Sequence, residues 1–243
     1  MTSRAKRALI VLTSVGAFPA STGAQAGRKT GFYMDEMATP YWALRDAGVS
    51  VEFASIKGGE PPADPGSIGE AGRRKTAVQR FLDDAEAMAA LRSSAAIATV
   101  DPDIHDLLFL PGGHGVMWDF RQSEDLARVA GRMFERGCVV GAVCHGPAGL
   151  IEAATADGAP ILRGRRANAF TDAEEAAVGL ADAVPFLLES AMREKGALFE
   201  GTENFGSHAV RDDNLVTGQN PASVPAVASL LLEALREANP KAA

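Results

Sequence analysis

Two short segments, Leu107-Leu108-Phe109-Leu110 and Cys138-Val139-Val140-Gly141-Ala142-Val143, carry no charged or strongly polar side chain at any position. A strand without a polar face has both faces covered, the condition of a strand in a parallel sheet layered between helices. Both segments end abruptly, the first in Pro111-Gly112-Gly113 and the second in Cys144-His145-Gly146-Pro147. Between them Ser123 is placed to cap a helix running to about Glu135. Glu124 and Asp125 would occupy its first turn, where the helix dipole favours acids.

The alternation continues on either side. Ala8–Thr13 reads as a first buried strand, Gly31–Ala47 as an amphipathic helix stopped by Gly48, and Val49–Ala54 as a strand. Lys57–Arg74, rich in Gly, Pro and charge, reads as a surface excursion covering about residues 57–75, followed by a helix over Thr76–Leu91. Beyond Cys144, Gly146–Ala154 has helical character, and Thr155–Arg166 is polar. A helix starts at Thr171, and another covers Ala181–Lys195 despite Pro185. Asn214–Thr217 is a late strand, Ser223–Ala238 a final amphipathic helix, and Asn239–Ala243 a frayed end. Strands alternating with helices predict an α/β fold with a mostly parallel sheet and helices on both faces. Residues 1–243 are expected to make one domain.

Composition excludes several classes. The 47% hydrophobic and 23% charged fractions argue against disorder, and a net charge of −7 leaves no electrostatic footprint for nucleic acid. No apolar run approaches the roughly 20 residues that span a bilayer. The two cysteines, Cys138 and Cys144, make no disulfide framework, so the expected compartment is the cytoplasm. Arg4, Lys6 and Arg7 before Ala8–Leu12, with Ala24-Gln25-Ala26 downstream, also fit a cleaved leader. The apolar stretch breaks early at Thr13, Ser14 and Gly16, which favours the strand.

Gly141-Ala142-Val143-Cys144-His145-Gly146 runs a strand into a cysteine flanked two positions away by Ala142 and Gly146. Small-x-nucleophile-x-small is the pattern of a nucleophile elbow, here with sulfur as the nucleophile. A helix N-terminus at that point would lower the thiol pKa from about 8.5. Cys138, at the start of the strand, reads as structural. Gly112-Gly113-His114-Gly115 leaves backbone N–H groups free to approach a developing oxyanion. Thr171-x-x-Glu174 is a capping box, and Asn220-Pro221 a helix start. Among the four histidines no pair has a metal-ligand spacing, so no metal is expected. His105 reads as a solvated loop residue, Asp35 as a solvated helix residue, and Arg163-Gly164-Arg165-Arg166 as a solvated face.

Pro111–Gly115 (PGGHG) and Ala142–Ala148 (AVCHGPA), with GFYMDE at Gly31–Glu36, FTDAEE at Phe170–Glu175 and TGQNPAS at Thr217–Ser223, resemble the ThiJ/PfpI superfamily. This is the class I glutamine-amidotransferase-like fold, and the resemblance is to its heat-shock chaperone and glyoxalase III branch. It implies a flavodoxin-like three-layer sandwich. It also implies Cys144 as nucleophile, His145 as its acid–base partner, and Glu36 and Glu175 as the carboxylates, with Glu175 preferred over the capping Glu174. From the residues themselves, Gly113 and the N–H of His145 would make the oxyanion hole; His114 reads equally as a substrate-binding residue of the pocket or as a backbone hydrogen-bonding group, and Trp118 as substrate-binding pocket wall or as core. The implied activity is a cofactor-independent conversion of methylglyoxal or a related dicarbonyl to a 2-hydroxy acid, in a homodimer.

Two other readings stay open. One is amide hydrolysis on the same fold, but the late histidine, His208, is followed by Ala209-Val210-Arg211 and so lacks the His-x-Glu of glutamine amidotransferases. The other is a non-enzymatic stress chaperone or redox sensor, since an activated thiol oxidises readily.

Overall fold

The computed structural model describes residues 5–238, so the expected fraying at Asn239–Ala243 and the position of Arg4 lie outside the described residues. In chain order the elements begin with β1 (Arg7–Leu12), α1 (Met34–Asp46) and β2 (Ser50–Ser55). There follow α2 (Pro65–Ile68), α3 (Glu70–Arg73), α4 (Thr76–Asp83), α5 (Ala85–Arg92), β3 (Ala95–Ala96), β4 (Leu107–Leu110), α6 (Glu124–Glu135) and β5 (Val139–Val143). The chain continues through β6 (Arg166–Ala167), α7 (Asp172–Ala177), α8 (Leu188–Glu194), β7 (Leu198–Phe199), β8 (Ala209–Asp212), β9 (Leu215–Gly218) and α9 (Val224–Glu237).

Seven strands form one sheet in the order β3-β2-β1-β4-β5-β9-β8, parallel throughout except for the antiparallel β8–β9 edge. β6 and β7 make a separate parallel pair. Side-chain alternation divides the apolar runs between two cores. Leu108, Leu110, Val140 and Ala142 join α6 and α8 on one face, while Leu107, Phe109, Val139 and Val143 join α1, α4 and α9 on the other. This is the three-layer α/β sandwich that the doubly covered strands require. Ala8–Leu12 is held between β2 and β4, inside that sheet. No helix of the described residues is long and apolar enough to cross a membrane.

Departures from the sequence reading have local causes. Thr76–Leu91 is two helices, because Asp84 is extended (φ −90°, ψ 105°) and its carboxylate caps α5 by accepting from Ala87 N–H. The helix expected over Ala181–Lys195 begins only at Leu188, past Pro185, and the one expected from Gly31 begins at Met34. The segment after Cys144 is a single 3-10 turn, Gly146–Leu150. The 57–75 excursion is docked rather than free: Pro62 accepts from Phe32 N–H, and Asp64 N–H donates to Phe32. Asp35 is buried, accepting from Thr39 with Lys75 nearby, because α1 starts beneath this docked segment. His105 is also buried: the turn before β4 folds its ring back on itself, with Nδ1 3.0 Å from the Asp101 carbonyl oxygen. Arg165 and Arg166 pair with Asp212 and Glu200, the polar surface expected for that cluster.

Candidate active site

β5 delivers Cys144 one residue past its C-terminal end, at φ 58°, a left-handed conformation uncommon for a residue bearing a side chain. Hydrogen bonds hold it there: Cys144 N–H donates to the Gly218 carbonyl at 2.9 Å, and its own carbonyl accepts from Phe170 N–H at 2.9 Å. The turn demands a small residue at Gly146, where a Cβ would lie 2.0 Å from the Leu110 carbonyl oxygen. The loop after β4 comes equally close. Gly113 has φ 98°, and a Cβ there would meet the Gly31 carbonyl oxygen at 2.3 Å. These constraints are the physical content of the two glycine-bearing motifs. They turn the N–H groups of Gly113 and His145 toward the Cys144 sulfur, where their dipoles favour its ionised form.

Glu36, from the first turns of α1, is fully buried against that sulfur. Its Oε2 accepts from Gly112 N–H at 2.8 Å, while Oε1 has no protein partner among the described residues. Burial pushes the Glu36 carboxyl up to about 8, against the opposing pull of the Gly112 N–H and the nearby Cys144 thiol. The Cys144 thiol is also pushed up, first by burial and then by the Glu36 charge, whereas the His145 and Gly113 N–H groups pull it down. The expected lowering by a helix N-terminus is therefore not what governs this thiol, since only a short 3-10 turn follows it. Two buried acids side by side share protons. When Glu36 is neutral its repulsion disappears, and burial is then the remaining influence that the backbone donors oppose.

His145 Nδ1 is 3.2 Å from Cys144 Sγ, and its Nε2 is 2.8 Å from Glu175 Oε2. His114 Nε2 is 2.8 Å from the other oxygen, Glu175 Oε1. Burial alone would raise Glu175, but these two imidazoles hold it down to about 2, so it is a carboxylate and only accepts. Both Nε2 atoms therefore carry hydrogen. Burial, with the neighbouring His114, keeps His145 below the usual imidazole range, so its Nδ1 offers a lone pair to the thiol. Glu174 does something else. It completes the Thr171 capping box and accepts from Phe205 N–H and Asn220 Nδ2. His114, His145 and Glu175 present donor atoms within 4.8 Å of one another, the one such group with metal-binding potential among the described residues. Here those atoms bond to each other.

The sulfur opens onto a cavity of about 270 Å³ whose walls include Glu36, Gly113, His114, Cys144 and His145. Sequence reasoning missed Tyr33, Asp64, Arg28, Val178, Phe205 and Pro221, which also line it. Tyr33 and Asp64 sit where the excursion crosses α1, a contact no local motif announces. Trp118 is not on this wall: the loop turns its ring onto Phe18, at 4.5 Å between centroids, and against the apolar core. His208 is also elsewhere, 3.6 Å from Glu200. Asn220 caps the turn it begins, accepting from Ala222 N–H.

Known proteins resemble this chain over most of its length. The profile of the DJ-1/PfpI family matches residues 29–234. A probable glutathione-independent glyoxalase, hsp3103 of Schizosaccharomyces pombe, is 30% identical over 239 residues, covering 86% of this chain and 92% of its own. The glutathione-independent glyoxalase HSP31 of Saccharomyces cerevisiae is 29% identical, covering 95% and 98%. Among solved structures, Rapid Encystment Protein 24 KDa of Francisella tularensis superposes with a TM-score of 0.88 at 31% identity, covering 95% of this chain and 99% of its own. Glyoxalase III of Candida albicans superposes at 0.84 with 27% identity, covering 94% and 97%.

Proposed function

The chain belongs to the DJ-1/PfpI family, and on that premise we propose that it is a glutathione-independent glyoxalase, converting methylglyoxal or a related small dicarbonyl to the 2-hydroxy acid through Cys144. The observation that carries this reading is the pairing of Cys144 with two differently tuned carboxylates. Glu36, raised to about 8, can both give and take a proton near neutral pH, whereas Glu175, held to about 2, serves only to orient His145.

The sulfur adds to the aldehyde carbon, C1, and its proton passes to Glu36 or to His145 Nδ1. The C1 alkoxide meets the N–H groups of Gly113 and His145 and takes a proton from Glu36, giving a hemithioacetal. Glu36, now ionised, removes the C1 hydrogen as a proton and passes it to the C2 carbonyl oxygen as the electron pair forms C1=C2, completing an enediol. Glu36 then takes the C1 hydroxyl proton and delivers it to C2, which leaves a hydroxyl there and a thioester at C1. C1 has been oxidised and C2 reduced, so the internal redox balances without nicotinamide or glutathione. Water aligned by His145 hydrolyses the thioester, releasing the acid and restoring the thiol.

Purified protein incubated with methylglyoxal, without glutathione, is expected to produce lactate, and Cys144→Ala to produce none above background. Equal lactate from both proteins would end this reading.

A further inference from the structure

Among the described residues the exposed large apolar side chains are Ile104, Val178, Leu198 and Phe205. Two of them, Val178 (42% exposed) and Phe205 (51%), line the Cys144 cavity. Isolated apolar side chains at a surface are ordinary, but these two share the wall of the cavity that holds the Cys144 thiol, where they can meet an apolar part of a ligand.

Phe205 is also held in a costly backbone conformation, φ 63°, which a bulky side chain adopts only when its surroundings impose it. The imposing group is Glu174, fully buried, whose Oε1 accepts from Phe205 N–H at 2.7 Å and from Asn220 Nδ2 at 2.8 Å. Asn220 Nδ2 also donates to the Gly206 carbonyl at 2.7 Å, so the turn is gripped on both sides of Phe205's peptide links. A glycine would fit this turn without strain; a phenyl ring stands there instead. From the nucleophile outward, aromatic rings follow one another: His145 to Phe170 at 4.5 Å between centroids, then Phe170 to Phe205 at 6.4 Å. Charged groups, Arg28 and Asp64, are also part of the cavity wall.

Size points the same way. The cavity of about 270 Å³ comes close to the lower end, roughly 300 Å³, of pockets that hold drug-sized ligands. A three-carbon dicarbonyl leaves much of it unfilled.

We infer that this site selects 2-oxoaldehydes bearing an aromatic or extended apolar substituent on C2, and that Phe205 is the residue that selects them. The inference rests on the glyoxalase reading above. With C1 bonded to Cys144 Sγ, the substituent runs along Phe170 toward Phe205 and Val178, and the same proton transfers follow. Glu174 acts as a positioning residue by fixing the Phe205 turn.

The test compares kcat/KM for phenylglyoxal and methylglyoxal, without glutathione, in wild type, Phe205→Gly and Phe205→Tyr. Glycine suits the positive φ, so the turn is preserved while the ring is lost. Wild type is expected to favour phenylglyoxal. The phenylglyoxal-to-methylglyoxal ratio is expected to fall on the order of tenfold in Phe205→Gly and to hold in Phe205→Tyr. Methylglyoxal turnover with a ratio indifferent to both substitutions overturns the selection alone. Absence of turnover of either aldehyde by wild type overturns the glyoxalase reading with it.

Discussion

The strand β5 carries a cysteine at each end, and the two thiols differ in everything except burial. Cys138 precedes the first residue and Cys144 follows the last; both are buried, and burial pushes both thiols up. Cys138 Sγ merely donates to the His105 carbonyl at 3.4 Å and lies among core side chains. Cys144 sits at positive φ with two backbone N–H donors, a carboxyl and an imidazole aimed at it, and a cavity in front. Burial therefore does not distinguish the two thiols. Position does: parallel sheets gather loops and N–H groups at the carboxyl ends of their strands, so chemistry collects there.

The sharpest break between the two ends is expected on substitution. Cys144→Ala should cut dicarbonyl turnover by about 10⁴-fold or more, since among the described residues no other sulfur lines the cavity. Cys138→Ala should leave turnover intact and lower stability by about 1 kcal/mol, read by urea unfolding. The histidines offer a parallel test. His145→Ala is expected to lose roughly 10²–10⁴-fold in kcat/KM, the range for a positioned acid–base group, whereas His105→Ala should affect unfolding only.

Glu36→Gln sharpens the comparison in a second currency, because it should lose about 10²-fold in turnover while gaining stability. The carboxyl titrates near 4.3 in an unfolded chain and at about 8 here. Between those values the folded state holds the extra proton, so wild-type stability falls as pH rises through that window. Glutamine removes the titration and can still accept from Gly112 N–H. Urea unfolding from pH 4.5 to 8 is expected to show the variant gaining on wild type with pH, by on the order of 2 kcal/mol at the upper end. The smallest catalytic effect belongs to Trp118→Ala. Its ring packs on Phe18 away from the cavity, so kcat/KM should stay within about twofold of wild type while stability drops by roughly 1–3 kcal/mol.

The layered fold was legible because Leu107–Leu110 and Val139–Val143 must be covered on both faces, and no other architecture covers them as simply. The elbow was legible for a similar reason: Ala142, Cys144 and Gly146 encode a steric requirement that is local in sequence. Glu36 was readable only through family resemblance, since its helix gives no hint that one carboxylate turns inward beside the buried Asp35. His105 was misplaced, and Trp118 left between pocket wall and core, because burial depends on what the preceding or following turn folds against. The cavity rim was the least legible part. Phe205 owes its conformation to Glu174 and Asn220, distant in sequence, and nothing in the local run around it signals a positive φ.

The central claim is that Cys144 forms a bond to the aldehyde carbon and that Glu36 moves the protons afterwards. Glu36→Gln permits the first event and stalls the second. Exposing that variant to methylglyoxal and mapping modified peptides by mass is expected to find one substrate equivalent on the Cys144 peptide and none on the Cys138 peptide. Wild-type turnover accompanied by an unmodified Cys144 in the stalled variant, or by equal labelling of both cysteines, would contradict the account.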